Sequence, residues 1–340
     1  MIKVFHIGSG LGNQMLDYCD LLASRKMNPS DEFFIETIDY DCKQDRINMW
    51  NGYELEKVFG IRERNVKELF SSKQWEQIMT DINESCFWDH GWNYSEEFLK
   101  AFSKQGLVLH SINEQTQGVS VKTDSKPKSI SYGKYLIKRA AFKICPTYFI
   151  KQVSKPELLF RTTDTNDFNG SYRLFNKKGN EIERIEPEIN AVFSFPDYDT
   201  RNGEFSAFLK SVNSVAIHAR RGDLLGSNGY CYEFGFFKRA ASFIKEKVSN
   251  PVFVFFCNTG SIEWCRSNLH IFGLDLNIDN IRFVDWNTGK YSFRDIQLMA
   301  DCKHNIITES TFGWWGAYLN KNPNKITCSP DIRINTTHCF

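Results

Sequence analysis

After residue 195 the chain alternates short apolar runs with amphipathic segments at the spacing of repeated βα units, and few features constrain a fold as tightly. Helices are expected over 236–248, 261–269, 293–302 and 311–319, with strands over 252–257, 281–284, 305–308 and 325–328. Strands that alternate with helices in this way form a parallel, doubly wound sheet, because each crossover must return the chain to the same edge. Ligands of such sheets sit beyond the carboxyl ends of the strands.

The strand that opens this series is Ser214-Val-Ala-Ile-His-Ala-Arg-Arg-Gly-Asp223. Val215, Ala216 and Ile217 suit a strand covered on both faces, and the run stops abruptly at His218, Arg220, Arg221 and Asp223. Two adjacent guanidiniums are permanently charged and fork-shaped, which fits the several oxygens of a diphosphate. An ordinary surface turn with one ion pair would read the same way in isolation.

The N-terminal part begins as strand, glycine turn and helix: Ile2 to Ile7, then Gly8-Ser-Gly-Leu-Gly12, then a helix bearing Met15, Tyr18, Leu22 and Met27. Asn13 stands where a dinucleotide fingerprint needs its third glycine, which weakens a nicotinamide oxidoreductase reading. The backbone at Gly10 and Gly12 either approaches an anion at the helix start or makes a tight packing turn. Further strands are expected over 32–38 and 107–110, with helical spacing from Val66 to Ile82 and over 95–103. The pattern loosens over 111–189: 122–134 is polar, 135–149 suits a helix and 172–185 a hairpin. This stretch is read as a subdomain inserted into a first domain spanning 1–204, the second being 205–340.

A chain of 340 residues supports two cores. Its 42 Lys and Arg balance 41 Asp and Glu, which excludes the basic footprint of a nucleic-acid binder. Ten cysteines without metal-ligand spacing read as reduced, buried apolar residues. No secretory h-region and no apolar run of about 20 residues is present. A cytoplasmic protein is expected, with peripheral contact at the inner membrane face allowed.

Asn305-Ile-Ile-Thr-Glu-Ser-Thr-Phe-Gly-Trp-Trp315 feeds a strand into a hydroxyl pair at a helix start. Ser310 and Thr311 either cap that helix or, with its free N–H groups, hold phosphate oxygens. Together with Gly10-Leu-Gly-Asn-Gln-Met15 and His218-Ala-Arg-Arg-Gly-Asp223, this motif resembles the α-1,2-fucosyltransferases, glycosyltransferase family 11. The departures are Met15-Leu-Asp17 and Glu309-Ser-Thr-Phe-Gly313, where the family commonly has Met-Phe-Gln and Asn-Ser-Thr-Phe-Ser.

The resemblance implies a GT-B type α/β fold, two Rossmann-like doubly wound domains facing a cleft. It implies inverting transfer of L-fucose from GDP-β-L-fucose to a galactoside hydroxyl of an oligosaccharide or glycolipid, without an essential metal or other cofactor. On that reading Arg220 stabilises the leaving diphosphate, and Arg221 shares this task or supports the loop. Ser310, Thr311 and Phe312 hold the same group, His218 and Asp285 lie near the guanosine, and Gly10 and Gly12 belong to the donor side. Asp223 orients Arg220 or faces the acceptor, and Asn13, Asp17, Asp223 and Glu233 are the candidates for handling the acceptor proton. Two other classes compete. Asp39-Tyr-Asp41 and Asp197-Tyr-Asp199 have the spacing of a metal-dependent glycosyltransferase, and 15% aromatic content with eight tryptophans suits a carbohydrate-binding protein.

Overall fold

The computed structural model describes residues 1–42, 50–89, 94–112, 162–171, 182–222, 231–258, 260–331 and 336–339, with 137, 140, 141 and 229. Asp223 and most of 111–189 lie outside the described residues. The chain leaves one compact unit for a second between Pro196 and Asp197.

The first unit holds a parallel sheet in the order β2-β1-β4-β3, from β1 (Ile2–His6), β2 (Glu32–Glu36), β3 (His110–Ser111) and β4 (Asp167–Asn169). Strand β4 falls inside the stretch read as an insertion, yet it pairs directly with β1. That part of the stretch is therefore sheet core, and Phe168 is fully buried. Register is pinned by a buried ion pair at the paired positions Lys3 and Asp167, where Lys3 Nζ lies 2.7 Å from Asp167 Oδ2 and 2.6 Å from the Thr165 carbonyl.

Around this sheet pack α1 (Leu11–Met27), α2 (Leu55–Phe59), α3 (Ser72–Ser85) and α4 (Tyr94–Lys104), with α5 (Glu186–Val192) later in the chain. The single helix expected from Val66 to Ile82 is broken. Asn65 and Ser71 each form a capping box, so a 3-10 turn (Val66–Leu69) precedes α3. The strand expected over 107–110 shrinks to β3, following Gly106 at φ 94° and an exposed Val108.

In the second unit the expected alternation is present. Helix α6 (Thr200–Ser211), capped by Asp199, leads into β5 (Asn213–Ala219). There follow α7 (Phe236–Lys247), β6 (Pro251–Cys257), α8 (Ile262–Ser267), α9 (Leu269–Phe272) and β7 (Asn280–Val284). Then come α10 (Phe293–Asp301), β8 (His304–Ile307), α11 (Thr311–Tyr318), β9 (Thr327–Asp331) and β10 (Thr336–Cys339). The sheet order is β10-β9-β8-β5-β6-β7, parallel except for the β9/β10 pair. Val215, Ile217, Phe253, Phe255, Ile281 and Ile306 form its buried centre with α7. Because β5 is flanked by β6 on one side and β8 on the other, successive crossovers diverge there. This is the topological switch point, where open α/β sheets take ligands.

Candidate functional site

Strands β5 and β8 are tied together at their carboxyl ends. The Thr308 hydroxyl donates to the His218 carbonyl at 3.2 Å and accepts from the Arg220 N–H at 3.4 Å. The Tyr232 hydroxyl donates to the Arg220 carbonyl at 3.0 Å. The backbone of Arg220 is thus gripped from two elements just where the sheet ends. Arg221 has a different environment: its N–H donates to Asn258 Oδ1 at 3.0 Å, and its guanidinium lies 3.3 Å over the Trp264 ring and 5.1 Å from that of Tyr232. A guanidinium stacked between aromatic faces supports the loop.

His218 is 3% exposed, and its ring stacks on Phe312 at 5.8 Å. Burial and then the nearby Arg220 charge push its pKa down to about 3, so the ring is neutral. A Cβ on Gly313 would stand 2.3 Å from His218 Nδ1, so only glycine lets the first turn of α11 sit this close. Ser310 is the N-cap residue of that helix, yet its side chain makes no capping hydrogen bond. Of the two roles open to it from sequence, capping is not the one adopted. The start of α11 thus brings its N–H groups and the Ser310 hydroxyl beside the end of β5, and such helix starts attract anions.

His218, Arg220, Arg221, Ser310, Thr311 and Phe312 are therefore gathered at one edge. Asp285 follows β7 on the same edge and is exposed. Glu233 is exposed on the segment before α7. Gly10, Gly12, Asn13 and Asp17 belong to the first unit. There Gly10 is the N-cap residue of α1, and a Cβ on it would lie 3.3 Å from Trp50 Cδ1. Gly12 is buried and Asn13 half-buried. The buried Gln14 explains the motif around them: its amide donates to the carbonyl of Ser9, held at φ 60°, and its Oε1 accepts from the Glu54 N–H. Asp17 is buried and accepts from the Gly8 N–H at 3.3 Å, which ties it to the same turn.

Sequence reasoning missed Asp295. It is a buried carboxyl on α10, bonded by Asn287 Nδ2 at 2.9 Å, and burial raises its pKa to about 8. Asn287 belongs to the loop after β7, and Cys257 at the end of β6 feels the Asp295 charge, so this group also lies at the carboxyl edge. An acid at a core position of an amphipathic helix was the available signal. The two Asp-x-Asp pairs have other employment. Asp39 Oδ2 lies 3.5 Å from His6 Nε2. Asp199 caps α6 through the Asn202 N–H, and the intervening Tyr198 donates to Asp301.

Comparison with known proteins falls on this same region. Residues 199–330 match the sequence model of Glycosyl transferase family 11. The match contains two of the three motifs that carry the resemblance, those at 218–223 and 305–315. It is 34% identical over 150 residues to an α-1,2-colitosyltransferase of Escherichia coli, covering 42% of this chain and 49% of that one. It is 30% identical over 148 residues to galactoside α-(1,2)-fucosyltransferase 2 of Mus musculus, covering 40% of each. The matches thus span half or less of those relatives. Among solved structures, the fucosyltransferase NodZ from Bradyrhizobium aligns over 100% of this chain and 97% of its own, at 10% identity and a TM-score of 0.49.

Proposed function

We propose that this protein is a glycosyltransferase that moves L-fucose from GDP-β-L-fucose to a galactoside hydroxyl, forming an α-1,2 linkage with inversion. The observation that carries this reading is the junction of β5 and β8, where Arg220 and the uncapped start of α11 share one sheet edge. As the glycosidic bond breaks, negative charge grows on the departing GDP, and positive potential fixed in advance at that point lowers the barrier. Arg220 is the principal clamp, with Ser310 and the N–H groups of Thr311 and Phe312 as the second half of the grip. Arg221 acts through the loop, from its seat on Trp264. His218 and Asp285, at the ends of β5 and β7, stand on the guanosine side.

The same arrangement supports transfer without an essential metal, since cationic side chains supply the potential a divalent ion would otherwise provide. The acceptor is an oligosaccharide or glycolipid. No helix among the described residues is long and apolar enough to cross a membrane, and a cytoplasmic site, with contact at the inner membrane face, suits a nucleotide-sugar donor.

The test is GDP release from GDP-fucose across a panel of galactosides, with linkage analysis of the product and with EDTA in a parallel arm. GDP-colitose belongs in the donor panel because one relative is named a colitosyltransferase. Turnover of GDP-fucose that survives EDTA is expected, whereas sugar binding with no GDP release from either donor contradicts the enzyme reading. GDP should also stabilise the protein by about 2.7 kcal/mol at a hundredfold excess over its Kd, and NAD should not.

A further inference from the structure

Two cysteines lie against each other beneath the strand ends. Cys257 is the last residue of β6, in register with Ala219 of β5, and Cys265 lies on α8. Their sulfurs are 3.5 Å apart. Cys265 is fully buried, while Cys257 is half-buried. Reading these as apolar filler suits Cys19 and Cys302, whose thiols are pushed up by burial and stay protonated. Cys265 moves the other way: the hydrogen bond from the Cys257 thiol lowers its pKa, burial opposes this, and the Arg221 charge adds to the lowering.

We propose that Cys257 and Cys265 form a reactive dithiol, a modification site that low-molecular-weight disulfides convert to an intrachain disulfide. The pair starts as a Cys257 thiol donating to a Cys265 thiolate. As the more accessible Cys257 sulfur attacks the reagent RSSR, its proton passes along the contact to Cys265, and the departing RS⁻ takes that proton as RSH. Cys265, again a thiolate, then attacks Cys257 sulfur in the mixed disulfide and expels the second RS⁻, which takes its proton from water. One thiol and one thiolate are oxidised to the disulfide, and one RSSR, with one proton from water, is reduced to two RSH. The sulfurs need to approach by only about 1.5 Å to reach bonding distance.

The bond would fasten both ends of one turn. Asn258, which accepts from the Arg221 N–H, follows Cys257, and Trp264, which carries the Arg221 guanidinium, precedes Cys265. Oxidation therefore fixes the seat of Arg221.

The wild-type protein, incubated natively with oxidised glutathione and mapped without reduction, tests this directly. Cleavage after Glu263 separates the two cysteines into different peptides. The expected result is a Cys257–Cys265 cross-link, with the mass of two hydrogens lost and recovered on treatment with dithiothreitol. Cys86 is also half-buried but bonds to the Asn83 carbonyl, so it should take at most a glutathione adduct. In Cys265→Ser the intermediate should be trapped as a glutathione adduct on Cys257. A stable adduct on Cys257 of the wild type, or no reaction there while Cys86 reacts, overturns the proposal. None of these readouts depends on the transferase reading.

Discussion

Each unit carries a buried histidine at or next to the end of a central parallel strand, and the two are driven to opposite charge states. At the end of β1, burial alone would lower the pKa of His6, but the Glu36 and Asp39 charges outweigh it and raise the value to about 10. Its Nδ1 bonds to Glu36, and its ring stacks on Tyr94 at 4.4 Å. Near the end of β5, His218 has an arginine for company and falls to about 3. One edge surrounds its cation with carboxylates. The other keeps its histidine neutral beside a guanidinium. The same kind of strand end thus holds a charged histidine among carboxylates in one unit and a neutral one beside an arginine in the other.

The largest stability effect should come from breaking the satisfied edge. His6→Gln leaves Glu36 and Asp39 buried without their cation, and removing one partner of such a group costs about 3–5 kcal/mol. Thermal unfolding should register that loss, and a His6→Gln protein as stable as the wild type would contradict the buried charge cluster described for this edge.

Gly313→Ala attacks the other edge through packing. The added methyl meets the His218 ring, and overpacking of this kind costs about 1–3 kcal/mol. Here the loss should appear in GDP binding as well as in Tm, because the start of α11 must move away from β5. A variant that loses stability yet binds GDP normally would detach that helix start from the ligand.

The smallest effects are in pH dependence. His218 has a folded pKa below its ordinary 6.5, so the stability it contributes is present above pH 6.5 and lost as pH falls towards 3. His6 has a raised pKa, so its contribution is complete below pH 6.5 and lost as pH rises through about 10. Asp295, raised to about 8, also weakens the fold with rising pH, from 3.8 upward, so the His6 share is the difference between wild type and His6→Gln. Side-chain NMR should show His6 protonated and His218 neutral throughout pH 5–8. A histidine of either kind titrating near 6.5 would remove its half of the contrast.

Much of the second unit was legible because strands buried on both faces read as apolar runs, and because charge placed directly after such a run has to emerge at the sheet edge. Arg220 was placed at that edge this way. The first unit hid β4, since Asp167 and Asn169 are polar and their burial depends on Lys3 and on Asp20, which bonds Asn169 at 3.1 Å. Asp295 was hidden because helical periodicity marks its position as core without saying that an acid occupies it. The seat of the Arg221 guanidinium is Trp264, a partner that local sequence could not supply. The expectation of apolar filler likewise missed the contact between Cys257 and Cys265.

Arg220→Lys is the most direct test of the diphosphate clamp. The substitution keeps the charge but removes the planar fork that can hold two phosphate oxygens. With folding verified by Tm, GDP release from GDP-fucose should fall by about 10²–10³ in kcat, the usual cost of removing one preorganised donor from a developing anion. A folded Arg220→Lys protein that releases GDP at the wild-type rate would contradict the assignment of Arg220 as the group that stabilises the leaving diphosphate.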